Sequence, residues 1–169
     1  MIRTTSIFAV AAATVALAGC GPSGGSSSSN TTATTSVSAA APTLSDAQQK
    51  ALVAQLPAAY QAADLSNGEA KFALCRSCHT TAPGGDDMTG PNLWGIFGRK
   101  AGSKASFTYS DDLKNAGWTW DADRIDKWVA NPRAVLPGTK MTFIGMPDAN
   151  DRRDVVAFLK VQTSSPPAN

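Results

Sequence analysis

The stretch Leu74–Thr80, "LCRSCHT", holds two of the chain's three cysteines and its one histidine. The spacing Cys75-x-x-Cys78-His79 is what covalent c-type haem attachment requires. Thiols at i and i+3 reach the two vinyl groups on one edge of a porphyrin, and the adjacent imidazole ligates iron from one face. A thioredoxin-type redox pair wants a βαβ setting, which the surrounding pattern lacks. A structural zinc site wants four ligands, and with Cys20 read below as a lipidation site no fourth Cys or His remains. A plain disulfide leaves His79 without a purpose.

Working outward, the 169 residues, 43% hydrophobic and 17% charged, allow one modest domain with appendages. The net charge of +2 includes Arg3, in a segment expected to be removed, so nucleic-acid binding, which needs a concentrated basic face, is excluded. Residues 1–19 read as a lipoprotein signal peptide: Arg3, an apolar run from Ile7 to Leu17 too short to span a bilayer, then Leu17-Ala18-Gly19-Cys20, which resembles a bacterial lipobox. Cys20 is then the lipidated residue. Residues 20–43 form a low-complexity tether of Gly, Ser, Thr, Asn and Ala, with too little apolar surface to offset its ordering entropy. The 22 residues from Gly21 to Pro42 give a root-mean-square reach of about 25 Å.

Helix signals follow. Ser45 with Gln48 forms a capping box for a helix to about Leu56, stopped by Pro57, within a short pre-segment 44–63 whose role the sequence does not reveal. Ser66 with Glu69 suggests a second box, opening the helix that carries Phe72 and delivers Cys75. Asp121 starts a third helix with Ile125, Trp128 and Val129 on its apolar stripe, ended by Pro132; Asp148 or Asn150 starts a fourth with Val155, Phe158 and Leu159 at core spacing. No run alternates as a strand. The expected fold is all-α, with long loops wrapped around haem, and residues 163–169 are read as a disordered tail. Asp86-Asp87, in a Gly-rich loop, reads as a solvated turn rather than a metal site, and Arg152-Arg153 as one exposed helical face.

The sixth iron ligand decides what the haem can do. With no second histidine the choices are Met, Lys or an open position. Met88 lies too close to His79 to cross easily to the opposite face, and spacing does not separate Met141 from Met146.

"GEAKFALCRSCHT", "TGPNLWGIFGRKAG", "FTYSDDLKNAGWTW" and "NPRAVLPGTKMTF" occur in the order and spacing of the class I c-type cytochromes, the mitochondrial and bacterial cytochrome c2-like group, which residues 64–162 resemble. The resemblance implies the cytochrome c fold around one covalent haem c, with Met141 of the Pro-Gly-Thr-Lys-Met motif as sixth ligand and Met146 in the core. A thioether opposite imidazole raises the potential. By the same resemblance the Pro91 carbonyl accepts the free ring proton of His79, Gly90 permits close backbone approach, and Arg99, Tyr109, Trp120 and Thr139 contact or shield the propionates. Gly68 and Phe72 match the positions where the first helix of the fold crosses the last, near Phe158. Departures are also visible. Leu113 stands where relatives often hold a polar residue, Trp128 replaces the usual Tyr near the Met ligand, and Leu74 and Ala134 occupy common Lys positions, leaving Arg76, Arg133 and Lys140 as a thin basic ring.

The function expected is single-electron transfer without bond chemistry, from a membrane quinol:cytochrome c oxidoreductase to a terminal oxidase or reductase. The location expected is the bacterial cell envelope, lipid-anchored and facing the periplasm, with the inner membrane favoured over the outer. The competing readings are a ligand-binding or peroxidatic haem protein and a fixed haem subunit of a larger oxidoreductase.

Overall fold

Helix α3 (Leu65–Arg76) crosses helix α7 (Ala149–Gln162) at the centre of the computed structural model, which describes residues 43–167. The expected signal peptide, Cys20 and the tether lie outside the described residues. The crossing is close because Gly68 has no side chain: a Cβ there would fall on the Asp154 carbonyl and on Cβ of Phe158. One turn on, the Phe72 and Phe158 rings pack with centroids 5.5 Å apart. Lys71 pairs with Asp151 at 2.7 Å beside this contact.

Local chemistry sets the helix ends. Helix α7 begins where Asp148 accepts from the amides of Asn150 (2.8 Å) and Asp151 (3.0 Å), orphan donors of the first turn. It ends at Thr163, whose hydroxyl and amide both donate to the Leu159 carbonyl, at 2.7 and 3.0 Å, so the disordered tail expected over 163–169 does not begin at this buried residue. The expected box at Ser66 and Glu69 does not form. Asp64 caps α3 instead, accepting from the amides of Ser66 (2.9 Å) and Asn67 (3.1 Å), so Ser66 lies inside the first turn. A carboxylate is the better acceptor at a helix N-terminus, where the macrodipole favours negative charge.

The pre-segment contains α1 (Asp46–Val53), with the Ser45/Gln48 box formed as expected, and α2 (Ala58–Gln61). Pro57 both stops the first and starts the second, its fixed φ suiting a helix N-terminus. Leu52, Val53, Leu56 and Tyr60 are buried in the same core as α7. The Tyr60 hydroxyl donates to Asp123 at 2.9 Å, which ties α2 to α5 (Ala122–Ala130). Burial, then this hydrogen bond, drives the Tyr60 phenol well above its usual range.

In α5, Asp121 caps the Arg124 amide at 2.7 Å, and Ile125, Trp128 and Val129 are buried on one stripe. Pro132 does more than end this helix, because it is the first residue of a further turn, α6 (Pro132–Val135), capped by Asn131. One more turn, α4 (Asp111–Lys114), escaped the periodicity reading for want of length. Among the described residues extended pairing is limited to one bridge, Lys100 to Thr119. Arg152 is not exposed as expected. It donates to Asp126 at 2.9 Å and to the carbonyls of Met146 and Pro147, joining α7 to α5. The first and last described segments also meet: Thr43, Leu44, Gln49, Trp94, Gln162 and Ser164 line one small cleft of about 220 Å³. No helix among the described residues is long and apolar enough to cross a membrane.

Candidate haem-binding cleft

The Cys75-x-x-Cys78-His79 motif is shaped by the end of α3. The amides of Cys78 and His79 both donate to the Cys75 carbonyl at 3.0 Å, so the helix closes on the motif's own backbone and turns His79 away from its axis. His79 then meets the loop that returns under it. Its Nδ1 hydrogen-bonds to the Pro91 carbonyl at 2.7 Å, which fixes the proton on that nitrogen and leaves Nε2 as the lone-pair donor. Burial pulls the imidazole below its usual range despite this hydrogen bond, with Arg99 adding to the effect, so the ring stays neutral, the form that ligates metals. Gly90 packs flat against the ring, and a Cβ there would sit on the imidazole.

The loop is held by side chains that pattern reading treated as a turn. Asn92, 3% exposed, donates to Thr80 Oγ1 (2.7 Å) and the Ala82 carbonyl (2.9 Å), and accepts from the Trp94 amide (3.0 Å). Asp86 is exposed, but Asp87 is not a solvated residue. Its carboxylate accepts from the Asn92 amide at 2.7 Å, from Lys104 at 2.8 Å and from Ser106 at 2.6 Å. Burial raises the Asp87 carboxyl, but the hydrogen bonds from Lys104, Ser106 and Asn92 outweigh it and hold the group at about 2. No group of three or more His, Cys, Asp or Glu side chains positioned for a metal ion occurs among the described residues. Only partner geometry distinguishes Asp87 from Asp86, and no local sequence signal carries it.

A cleft of about 340 Å³ opens beside the motif, and every expected site residue of the described chain lines it: Cys75, Cys78, His79, Pro91, Arg99, Tyr109, Trp120, Thr139 and Met141. Apolar walls come from Phe72, Leu113, Trp120, Ile125 and Leu159. Tyr109, Trp120 and Thr139 are buried. Trp120 packs edge-on to Trp128 with centroids 5.3 Å apart, and Tyr109 edge-on to Phe107 at 4.9 Å.

Met141 is the one described methionine on the cleft. Met88 is exposed, and Met146 is buried away from the cleft, its amide bound to the Val129 carbonyl at 2.8 Å. The Met141 thioether receives the indole N–H of Trp128 at 3.1 Å, and its amide donates to Thr139 Oγ1 at 3.1 Å. Trp128, which replaces the usual Tyr, therefore keeps this corner polar. It keeps a donor on the sulfur.

These features fit covalent haem. Both thiols are free and half-buried; burial, then the neighbouring Cys78, pushes Cys75 up to about 11, unlike the low-pKa thiolate of a redox-active pair. Arg99 is a half-buried cation with no carboxylate partner among the described residues, holding only the carbonyls of Asn92 (3.1 Å) and Trp94 (3.3 Å). A propionate would complete it. At the mouth, Leu74 stands 61% exposed where a basic residue was noted as missing, and Arg76 is paired with Glu69 at 3.1 Å.

Known proteins repeat this pattern. The chain is 47% identical over 104 residues to the cytochrome c2 of Rhodomicrobium vannielii, covering 62% of this chain and 83% of that one. It is 41% identical over 104 residues to the cytochrome c2 of Blastochloris viridis, covering 62% and 80%. A solved structure, cytochrome cH from Methylobacterium extorquens, superposes with a TM-score of 0.54 at 40% identity over 57% of this chain and 97% of its own. No family model matches the chain. With the helical fold, the motif and the relatives in agreement, the chain belongs to the class I c-type cytochromes, electron-transfer proteins that carry covalent haem c rather than enzymes.

Proposed function

We propose that Cys75 and Cys78 bind one haem c through thioether bonds, that His79 and Met141 are its axial ligands, and that the protein shuttles single electrons between membrane-bound respiratory complexes. The observation that carries this reading is the convergence of those four side chains on one apolar cleft. When bound, the haem supplies a one-electron change between ferric and ferrous iron. The residues perform no bond chemistry. The Pro91 carbonyl orients His79, Trp128 and Thr139 hold the Met141 segment, Arg99, Tyr109, Trp120 and Thr139 would hold or shield the propionates, and the apolar walls would exclude water.

The visible spectrum tests ligation: the holoprotein should show covalent haem with a Met-to-iron charge-transfer band. Met141→Ala should abolish the band and open the iron to CO, whereas Met146→Leu should do neither. The reverse result would falsify the assignment of Met141.

The partners proposed are a quinol-oxidising complex as donor and an oxidase or reductase as acceptor. The membrane attachment proposed is lipid on Cys20, followed by the low-complexity segment and facing the periplasm; the lipobox-like Leu17-Ala18-Gly19-Cys20 supports it. An acyl chain contributes about 0.8 kcal/mol per buried methylene, so two or more would anchor the protein stably. Cys20→Ser behind a cleavable signal should release a spectrally normal cytochrome whose turnover with membranes becomes concentration-dependent. Unchanged membrane flux at native expression would remove the anchor from the mechanism.

A further inference from the structure

The hydrogen bond that orients His79 ends on the Pro91 carbonyl, and the other end of that same peptide group is the Asn92 N–H, which donates to Asp87. The path His79 Nδ1–H, Pro91 C=O, Asn92 N–H, Asp87 carboxylate is unbroken, with 2.7 Å at each hydrogen bond. We propose that Asp87 is a positioning residue for His79, acting through the Pro91–Asn92 peptide group, and that Lys104 sets the strength of that action by neutralising the carboxylate.

The chemistry is that of a polarised chain. An anion accepting from a peptide N–H draws electron density toward the carbonyl oxygen and makes it a stronger acceptor. The carbonyl then pulls harder on the imidazole proton, so Nε2 becomes a stronger donor, which favours the ferric state. Metal-ligating histidines commonly donate their second N–H directly to a carboxylate or carbonyl. Here the carboxylate stands one peptide further out.

The geometry gives Asp87 no other evident task as specific as this. Its second oxygen takes Ser106 and Lys104, both from the loop that leads into Tyr109, so the clamp also fastens that wall of the cleft to the His79 loop. Lys104 lies 2.8 Å from each carboxylate oxygen and itself touches Ser106. Removing the cation leaves the charge on Asp87 less compensated and strengthens the pull along the chain; removing the carboxylate abolishes it. A purely structural clamp would respond to both losses in the same direction.

The inference rests on the ligation reading above, so the wild-type holoprotein is recorded first. Absence of the Met-to-iron band would defeat that reading and this one together. With the band present, the ratio of oxidised to reduced protein at a fixed ambient potential and the proton resonance of His79 Nδ1–H are compared in four full-length holoproteins: wild type, Asp87→Asn, Lys104→Gln and Asp86→Asn. Asp87→Asn should shift the ratio toward reduced by about threefold and move the resonance upfield, as a weaker hydrogen bond does. Lys104→Gln should shift both in the opposite sense. Asp86→Asn removes the same charge one residue away without touching the Asn92 amide, and should leave the resonance in place. If Asp87→Asn does not fold, Ser106→Ala takes its place: losing a donor to the carboxylate should move the resonance downfield, as Lys104→Gln does, whereas a merely loosened clamp would move it upfield in both and overturn the proposal. Shifts of equal sign in Asp87→Asn and Lys104→Gln, an unmoved resonance, or an equal effect from Asp86→Asn overturns the proposal.

Discussion

Replacing Trp128 with Phe would remove one hydrogen bond to Met141 and little packing volume. An N–H donor on the thioether withdraws density from the sulfur lone pair, which weakens its support of ferric iron more than of ferrous. The variant should therefore have a lower potential, by on the order of 20–40 mV if about half to one kcal/mol of differential stabilisation is lost. Spectroelectrochemical titration checks it, and an unchanged or raised potential would show that the 3.1 Å contact exerts no pull on the ligand. At this scale the sequence was most informative where chemistry demands a particular side chain. Cys75, Cys78 and His79 could be read from spacing, and Met141 from the motif around it. Trp128 and Asp87 could not, because what each does depends on a partner 13 or 17 positions away: the sulfur of Met141 for one, the ammonium of Lys104 for the other.

Among the elements, the crossing of α3 and α7 carries the most closely fitted contact. Gly68→Ala must push the helices apart or shift the Asp154 backbone, and overpacking of this kind costs about 1–3 kcal/mol. Denaturant unfolding of the holoprotein should show a lowered midpoint with an unchanged m-value. An alanine accepted without loss would mean that the two helices slide freely. Helix existence was legible because Ile125, Trp128 and Val129, or Val155, Phe158 and Leu159, recur at the helical period. Starts were less so. Asp64 and Ser66 are both good caps, and what selects Asp64 is where α3 must enter to reach Asp154, whose carboxylate accepts from the Asp64 amide at 3.1 Å. The pre-segment α1–α2 was visible as helix but mute as to purpose, since Tyr60 finds its partner in Asp123 across the fold.

The whole molecule is braced by carboxylates that prefer to stay ionised. Hydrogen bonds from Lys71 and Asn67 hold Asp151 below the usual range, and Asp87 sits at about 2 against an ordinary value of 3.8. Folded-state values below unfolded ones mean that their stabilisation is complete above the unfolded pKa and is lost as pH falls through the folded one. Helical circular dichroism of the holoprotein should thus be flat down to about pH 4 and melt progressively between about pH 4 and 2. Asp87→Asn should make the decline shallower in that window. A transition centred near neutrality would mean that some other group governs acid unfolding.

The small cleft where Thr43 and Leu44 lie beside Gln162 and Ser164 makes the folded unit nearly a closed loop already. A peptide joining residue 43 to residue 164 through a short linker would turn the chain into a ring with little distortion of either end. By analogy with a crosslink closing roughly 100 residues, it would raise stability by about 4–5 kcal/mol through lost freedom of the unfolded chain. The ring should unfold at a higher temperature than its linear counterpart with the same spectrum. Reopened at a surface loop, it would be a cytochrome whose chain begins and ends somewhere new.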